Sequence, residues 1–116
     1  MSQAERIAVD QAALLAQAPV FAALGDETRL ALVVRLYDGK PQSISQLAAG
    51  SALTRQGVTK HLRVLESVGL VHSVRSGREN LFALDPKPIE GLKEYLDVVS
   101  SQWDRTLDRL KAFVEE

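Results

Sequence analysis

The chain has 116 residues, 46% of them hydrophobic and 25% charged, with a formal net charge of −1 and no cysteine. That length holds one ordinary globular domain with a small core, and the missing cysteines exclude disulfide frameworks and thiolate metal sites while suiting a reducing cytosol. No apolar run approaches membrane-spanning length and the opening MSQAERIAVD does not read as a signal peptide, so the expectation is a cytoplasmic protein with no membrane partner.

In chain order, a helix is predicted from about Gln3 to Gln17, with Ile7, Leu14, Leu15 and several alanines as its apolar content. Pro19 opens a second, short helix over VFAAL, which Gly25 ends. Asp26 stands as an N-cap with Glu27 in the first turn, and Leu30, Val33, Val34 and Tyr37 then recur at three and four, the spacing of a buried helical stripe. Gly39 and Pro41 close that helix. Ser43 or Ser45 can cap the next short one, ISQLAAG, and a brief turn through Ser51 and Ala52 leads into LTRQGVTKHLRVLESVGLV. There Val58, Leu62, Leu65 and Val68 form an apolar face, Thr54 is placed to cap the first turn, and Gly69 is placed to end the last. Two helices joined by a tight turn make a helix-turn-helix over residues 43–68.

After Gly69 the pattern alternates. Two short runs, Leu70 to Val74 and Leu81 to Leu84, flank the polar RSGREN and predict a β-hairpin over residues 70–84, a wing with Arg75 and Arg78 near its tip. Asp85, Pro86 and Pro88 stop the strand, and a helix is predicted over residues 89–115. Its apolar residues Ile89, Leu92, Leu96, Val99, Trp103, Leu107, Leu110 and Val114 step by threes and fours, a near-heptad stripe with one stutter. A helix of that length outruns a core this small, so part of the stripe is expected to pack on a second copy of the chain.

Charge is distributed unevenly along this plan. Residues 1–53 carry four cations and five carboxylates, residues 54–80 carry five and two, and residues 81–116 carry five and eight. The positive charge therefore gathers where the second helix of the motif and the wing lie. On that helix Arg55, Gln56, Thr59, Lys60 and Arg63 occupy the face opposite the apolar one, the chemistry of a helix laid in the major groove of double-stranded DNA. Arg55 and Gln56 suit base edges, Arg for guanine and Gln for adenine, whereas Thr59, Lys60 and Arg63 suit a mixture of phosphate and edge contacts. Arg75 and Arg78 are expected to hold phosphates or to enter the minor groove beside the wing. Taken alone, the same five residues make an ordinary solvated face; the capped turn before them and the wing after them favour DNA. His61, adjacent to Leu62, reads as a structural histidine hydrogen-bonded near the turn, and His72 carries still less signal.

The run FAALGDETRLALVVRLYDG, then ISQLA, then LTRQGVTKHLRVLESVGLV, then VRSGRENLFAL resembles the ArsR/SmtB family of bacterial winged-helix repressors over roughly Val20 to Leu84. The resemblance implies a mainly α fold with a small β-hairpin, a single winged helix-turn-helix domain over residues 1–116, and a homodimer held by its first and last helices. It also implies two groove helices presented to an inverted-repeat operator and repression of a nearby operon. Leu14, Leu92, Leu96, Val99, Trp103, Leu107 and Leu110 are the expected interface residues. Family members often release DNA on binding a metal, but here Ser43, Ile44, Ser45 and Gln46 stand where thiolate-bearing relatives place cysteines. The last helix offers Asp97, Val99, Ser100, Asp104 and Asp108 with no histidine, so no metal and no cofactor is expected. A small-molecule or protein inducer remains compatible with the sequence, including an apolar ligand between Trp103, Val99 and Leu107. The alternative function is a winged-helix module for protein contact, its basic face docked on an acidic partner. An enzyme is not expected: there is no nucleophile with a base and no phosphate-cradling loop, and GKPQS lacks the spacing of one.

Overall fold

The computed structural model describes residues 11–13 and 15–115. Leu14 and most of the helix predicted over residues 3–17 lie outside the described residues; 11–13 and 15 are helical. The elements that follow are α1 (Ala18–Leu24), α2 (Glu27–Leu36), β1 (Gln42–Ser43), α3 (Ile44–Ala49), α4 (Arg55–Ser67), β2 (Val71–Ser76), β3 (Glu79–Leu84) and α5 (Lys87–Glu115). This is the mainly helical winged architecture that the sequence predicts, with one strand more.

Local chemistry marks each helix start. Pro19 lies in the first turn of α1, where its missing N–H leaves nothing unpaired. Asp26 caps α2 by accepting the N–H of Arg29 at 3.0 Å. At α3, Ser43 Oγ accepts the N–H of Gln46 at 3.1 Å and Gln46 Oε1 accepts the N–H of Ser43 at 2.8 Å, a reciprocal capping box, so Ser43 rather than Ser45 is the cap. The ends of α2 and α3 are bound together by Arg35, whose guanidinium donates to the carbonyls of Leu47 and Gln46 while passing over Gly50. A Cβ at Gly50 would stand 2.5 Å from that guanidinium carbon.

Leu36, Leu47, Val58, Leu62, Leu65, Leu70 and Val71 are wholly buried, and Val20, Ala23, Leu32, Val33 and Leu92 complete the core. In α2 the buried stripe differs from the predicted one. Leu32, Val33 and Leu36 face the core, while Leu30, Val34 and Tyr37 are exposed, Tyr37 at 72%. The segment Leu30, Ala31, Leu32, Val33, Val34 and Leu36 is apolar almost all round, so spacing alone does not select a side.

The sheet is antiparallel in the order β1-β3-β2. β2 and β3 form the predicted hairpin, closed by the two-residue turn Gly77-Arg78, with Ser76 opposite Glu79. Gly77 has φ +61°, the left-handed value that the first position of such a turn requires. The unpredicted strand β1 pairs Gln42 with Phe82 and Ser43 with Leu81, so the N-terminal end of α3 is stitched to the wing.

α5 begins at Lys87, two residues before the predicted start. Asp85 Oδ1 accepts the N–H of Lys87 at 3.0 Å, the Pro86 carbonyl accepts the N–H of Glu90 at 3.0 Å, and Pro88 fits in the first turn. The Phe21 and Tyr95 rings, 5.4 Å apart edge to face, join α5 to α1. Of the predicted stripe, Leu92 is buried and Ile89 and Val99 are half-buried, while Leu96, Trp103, Leu107, Leu110 and Val114 are exposed, Trp103 at 61%. Among the described residues no helix is long and apolar enough to cross a membrane.

Candidate nucleic-acid interface

α4 is held at both ends. Thr54 Oγ1 accepts the N–H of Gly57 at 3.0 Å. At the other end the N–H of Gly69 reaches the carbonyl of Glu66 and that of Leu70 reaches Leu65, each at 3.0 Å, with Gly69 at φ +78°. This double closure satisfies carbonyls that would otherwise be orphaned, and it turns the chain directly into β2. Because Val58, Leu62 and Leu65 are wholly buried, the opposite face is committed to solvent.

On that face Arg55, Gln56, Lys60 and Arg63 are exposed and Thr59 is half-buried, and the five border one shallow depression. Thr59 Oγ1 donates to the carbonyl of Arg55 at 2.8 Å, so its proton is spent on the helix and its oxygen is left to accept. Arg55 donates from a terminal guanidinium nitrogen to Ser45 Oγ on α3. Between the helix-turn-helix and the wing runs a polar cleft lined by Ser43, Ile44, Ser45, Arg55, Thr59, Glu79 and Asn80. Arg75 stands opposite Asn80 in the hairpin and Arg78 occupies its tip, both exposed, but neither lines that cleft. Ser45, Glu79 and Asn80 are absent from the sequence-derived site. The strand register that brings Glu79 and Asn80 beside α4 is set by β1, which has no signature of its own.

The histidines also differ from expectation. His61 Nδ1 is buried and makes no hydrogen bond; the nearest carboxylate oxygen, Asp26 Oδ2, is 4.0 Å away. His72 Nε2 meets Asp85 Oδ2 at 2.6 Å, joining β2 to the start of α5. The His72 hydrogen bond, then the Lys87 N–H, hold the Asp85 carboxyl below its ordinary pKa. Asp26 is lowered too, first by the Arg29 N–H it caps.

The positions where thiolate-bearing relatives carry ligands do not fit a metal. Ser43 and Gln46 cap each other and Ser45 is engaged by Arg55. Among the described residues no three His, Asp or Glu side chains gather closely enough to hold an ion.

A short helix, a tight turn, a capped helix with a cationic outer face and a flanking hairpin define a winged helix-turn-helix protein. Residues 24–74 match the family described as "Helix-turn-helix domain". The HTH-type transcriptional regulator Rv2034 of Mycobacterium tuberculosis is 36% identical over 85 residues, which cover 73% of this chain and 76% of that protein. An ArsR-like transcriptional regulator from Rhodococcus sp. RHA1 superposes with TM-score 0.78 at 37% identity, over 87% of this chain and 92% of its own. The winged helix-turn-helix DNA-binding domain of Mb0332 from Mycobacterium bovis, solved in solution and described as homodimeric, shares the fold with TM-score 0.59 at 22% identity, over 88% of this chain and 89% of its own. The chain belongs to the ArsR family of winged helix-turn-helix transcriptional regulators.

Proposed function

We propose that the protein is a homodimeric repressor that reads an inverted-repeat operator and controls a nearby operon. The observation that carries this reading is the outer face of α4, where Arg55, Gln56, Lys60 and Arg63 are presented by a helix capped at both ends and backed by a wholly buried apolar face. In this scheme the helix-turn-helix over residues 43–68 lays its second helix in the major groove, with Thr54 at that helix's start, Arg55 and Gln56 at base edges, and Thr59, Lys60 and Arg63 combining phosphate and edge contacts. Residues 70–84 lay Arg75 and Arg78 on the flanking duplex. Residues 3–17 and 89–115 form the dimer contact. The exposed residues Leu96, Trp103, Leu107 and Leu110, with half-buried Val99, support that assignment, as does the homodimeric description of the Mycobacterium bovis domain. Two α4 helices related by a dimer axis fit successive major grooves about 34 Å apart.

Selection of duplexes from a random pool by the purified protein, with zinc and with chelator, tests the proposal. The expected result is one enriched inverted repeat with half-sites about one helical turn apart. Failure to enrich any sequence would overturn it and turn the basic face into a protein-docking surface.

A further inference from the structure

Ser45 is free of the task its sequence position offered it. The α3 cap is made by Ser43 with Gln46, so the Ser45 hydroxyl, exposed in the first turn of α3, is not needed to start that helix. It accepts a hydrogen bond from the Arg55 guanidinium instead, which links the two helices of the motif along one wall of the cleft. We propose that Ser45 is a positioning residue for Arg55: it holds the guanidinium in place for DNA without cancelling its charge. This inference rests on the DNA-binding reading proposed above.

A long arginine side chain on the first residue of α4 loses rotamer freedom when it meets a ligand, and a partner that orders it beforehand removes part of that loss from the binding step. The chemical type of the partner matters. A carboxylate would order the guanidinium but neutralise it, weakening its attraction for phosphate or for a guanine edge. A hydroxyl takes one of five N–H donors and leaves the full charge and the remaining donors outward. Glu79 lines the same cleft, yet among the described residues the ion pairs within 4.0 Å are His61 with Asp26 and His72 with Asp85, neither of which includes Arg55. Arg55 is therefore fixed by a neutral oxygen carried on the other helix of the motif.

The test compares Ser45→Ala, Ser45→Thr, Arg55→Ala and the Ser45→Ala/Arg55→Ala double variant, using the duplex that the wild-type protein enriches and a scrambled duplex of the same composition. Ser45→Ala is expected to weaken binding to the enriched duplex about three- to tenfold, the scale of one side chain losing its preorganisation, with an unchanged melting temperature. Ser45→Thr keeps the hydroxyl and restores binding. In the Arg55→Ala background the Ser45→Ala change is expected to have no further effect. An unaffected Ser45→Ala protein, or an equal loss in both backgrounds, overturns the inference alone, the second outcome meaning that Ser45 meets DNA directly. Wild-type affinity in Arg55→Ala, or no enriched duplex at all, overturns the DNA-reading assignment and the inference with it.

Discussion

Helices α4 and α5 carry the same kind of amphipathic pattern and meet opposite fates. In α4 the residues at helical spacing, Val58, Leu62 and Leu65, are buried to completion by the rest of the chain. In α5 the same kind of stripe begins inside, at Leu92, and then runs outward through Leu96, Trp103, Leu107 and Leu110, all more than half exposed. Periodicity reports which side of a helix is apolar; the size of the core decides how much of that side one chain can cover. In the proposed dimer on its operator, the apolar length of α5 beyond Val99 is covered by the second copy and the charged face of α4 by DNA.

The sharpest way to break this contrast is to truncate one residue from each stripe. Leu62→Ala should lower stability by about 2–5 kcal/mol in urea unfolding, because it leaves a cavity among fully packed neighbours. Leu107→Ala should change the unfolding of the isolated chain by less than about 0.5 kcal/mol; equal losses would mean that α5 is packed as tightly as α4. Trp103→Asp is expected to abolish the dimer by placing a charge in its apolar seam, giving monomers in sedimentation at low micromolar concentration with helical content retained. On the charged side, Arg55→Ala should weaken binding to the enriched duplex by about 1–3 kcal/mol and relax one operator position, whereas Arg78→Ala should weaken all duplexes alike and reduce the salt slope by about one. The smallest effect is expected at the joint between wing and α5. The folded pKa of Asp85 lies below its unfolded value, so its contribution is present above about pH 4 and lost as pH falls through the folded value. Asp85→Asn should therefore remove a small stabilisation at neutral pH, change little once pH falls below the folded value, and so flatten the acid limb of the stability curve, which thermal melts from pH 2 to pH 7 would check.

Much of the fold was legible because its signals are local. Thr54, Asp26, Pro19, Gly69 and the turn glycine Gly77 each act within a few residues of themselves, and all stand where their chemistry predicted. What escaped depends on partners distant in sequence. β1 is two residues long and exists only because Phe82 and Leu81 lie beside it. The stripe of α2 was ambiguous, since a helix apolar nearly all round is assigned an inner side by its neighbours. The pairing of His72 with Asp85 follows from the register that sets Val71 opposite Leu84. The exposed polar face of α4 was readable as a run of polar residues on one helix; the cleft beside it, with Ser45, Glu79 and Asn80, required the wing to be placed first.

The spacing of the α5 stripe has a mechanical consequence. From Ile89 to Val114 the apolar positions make seven steps over 25 residues, about 3.57 residues per turn against 3.6 for an undistorted helix. The extra four-residue step cancels most of the rotation that a strict seven-residue repeat would accumulate. Over that length the stripe drifts by only about 20° around the helix. In the proposed dimer, a partner helix lies along that seam with little winding around it.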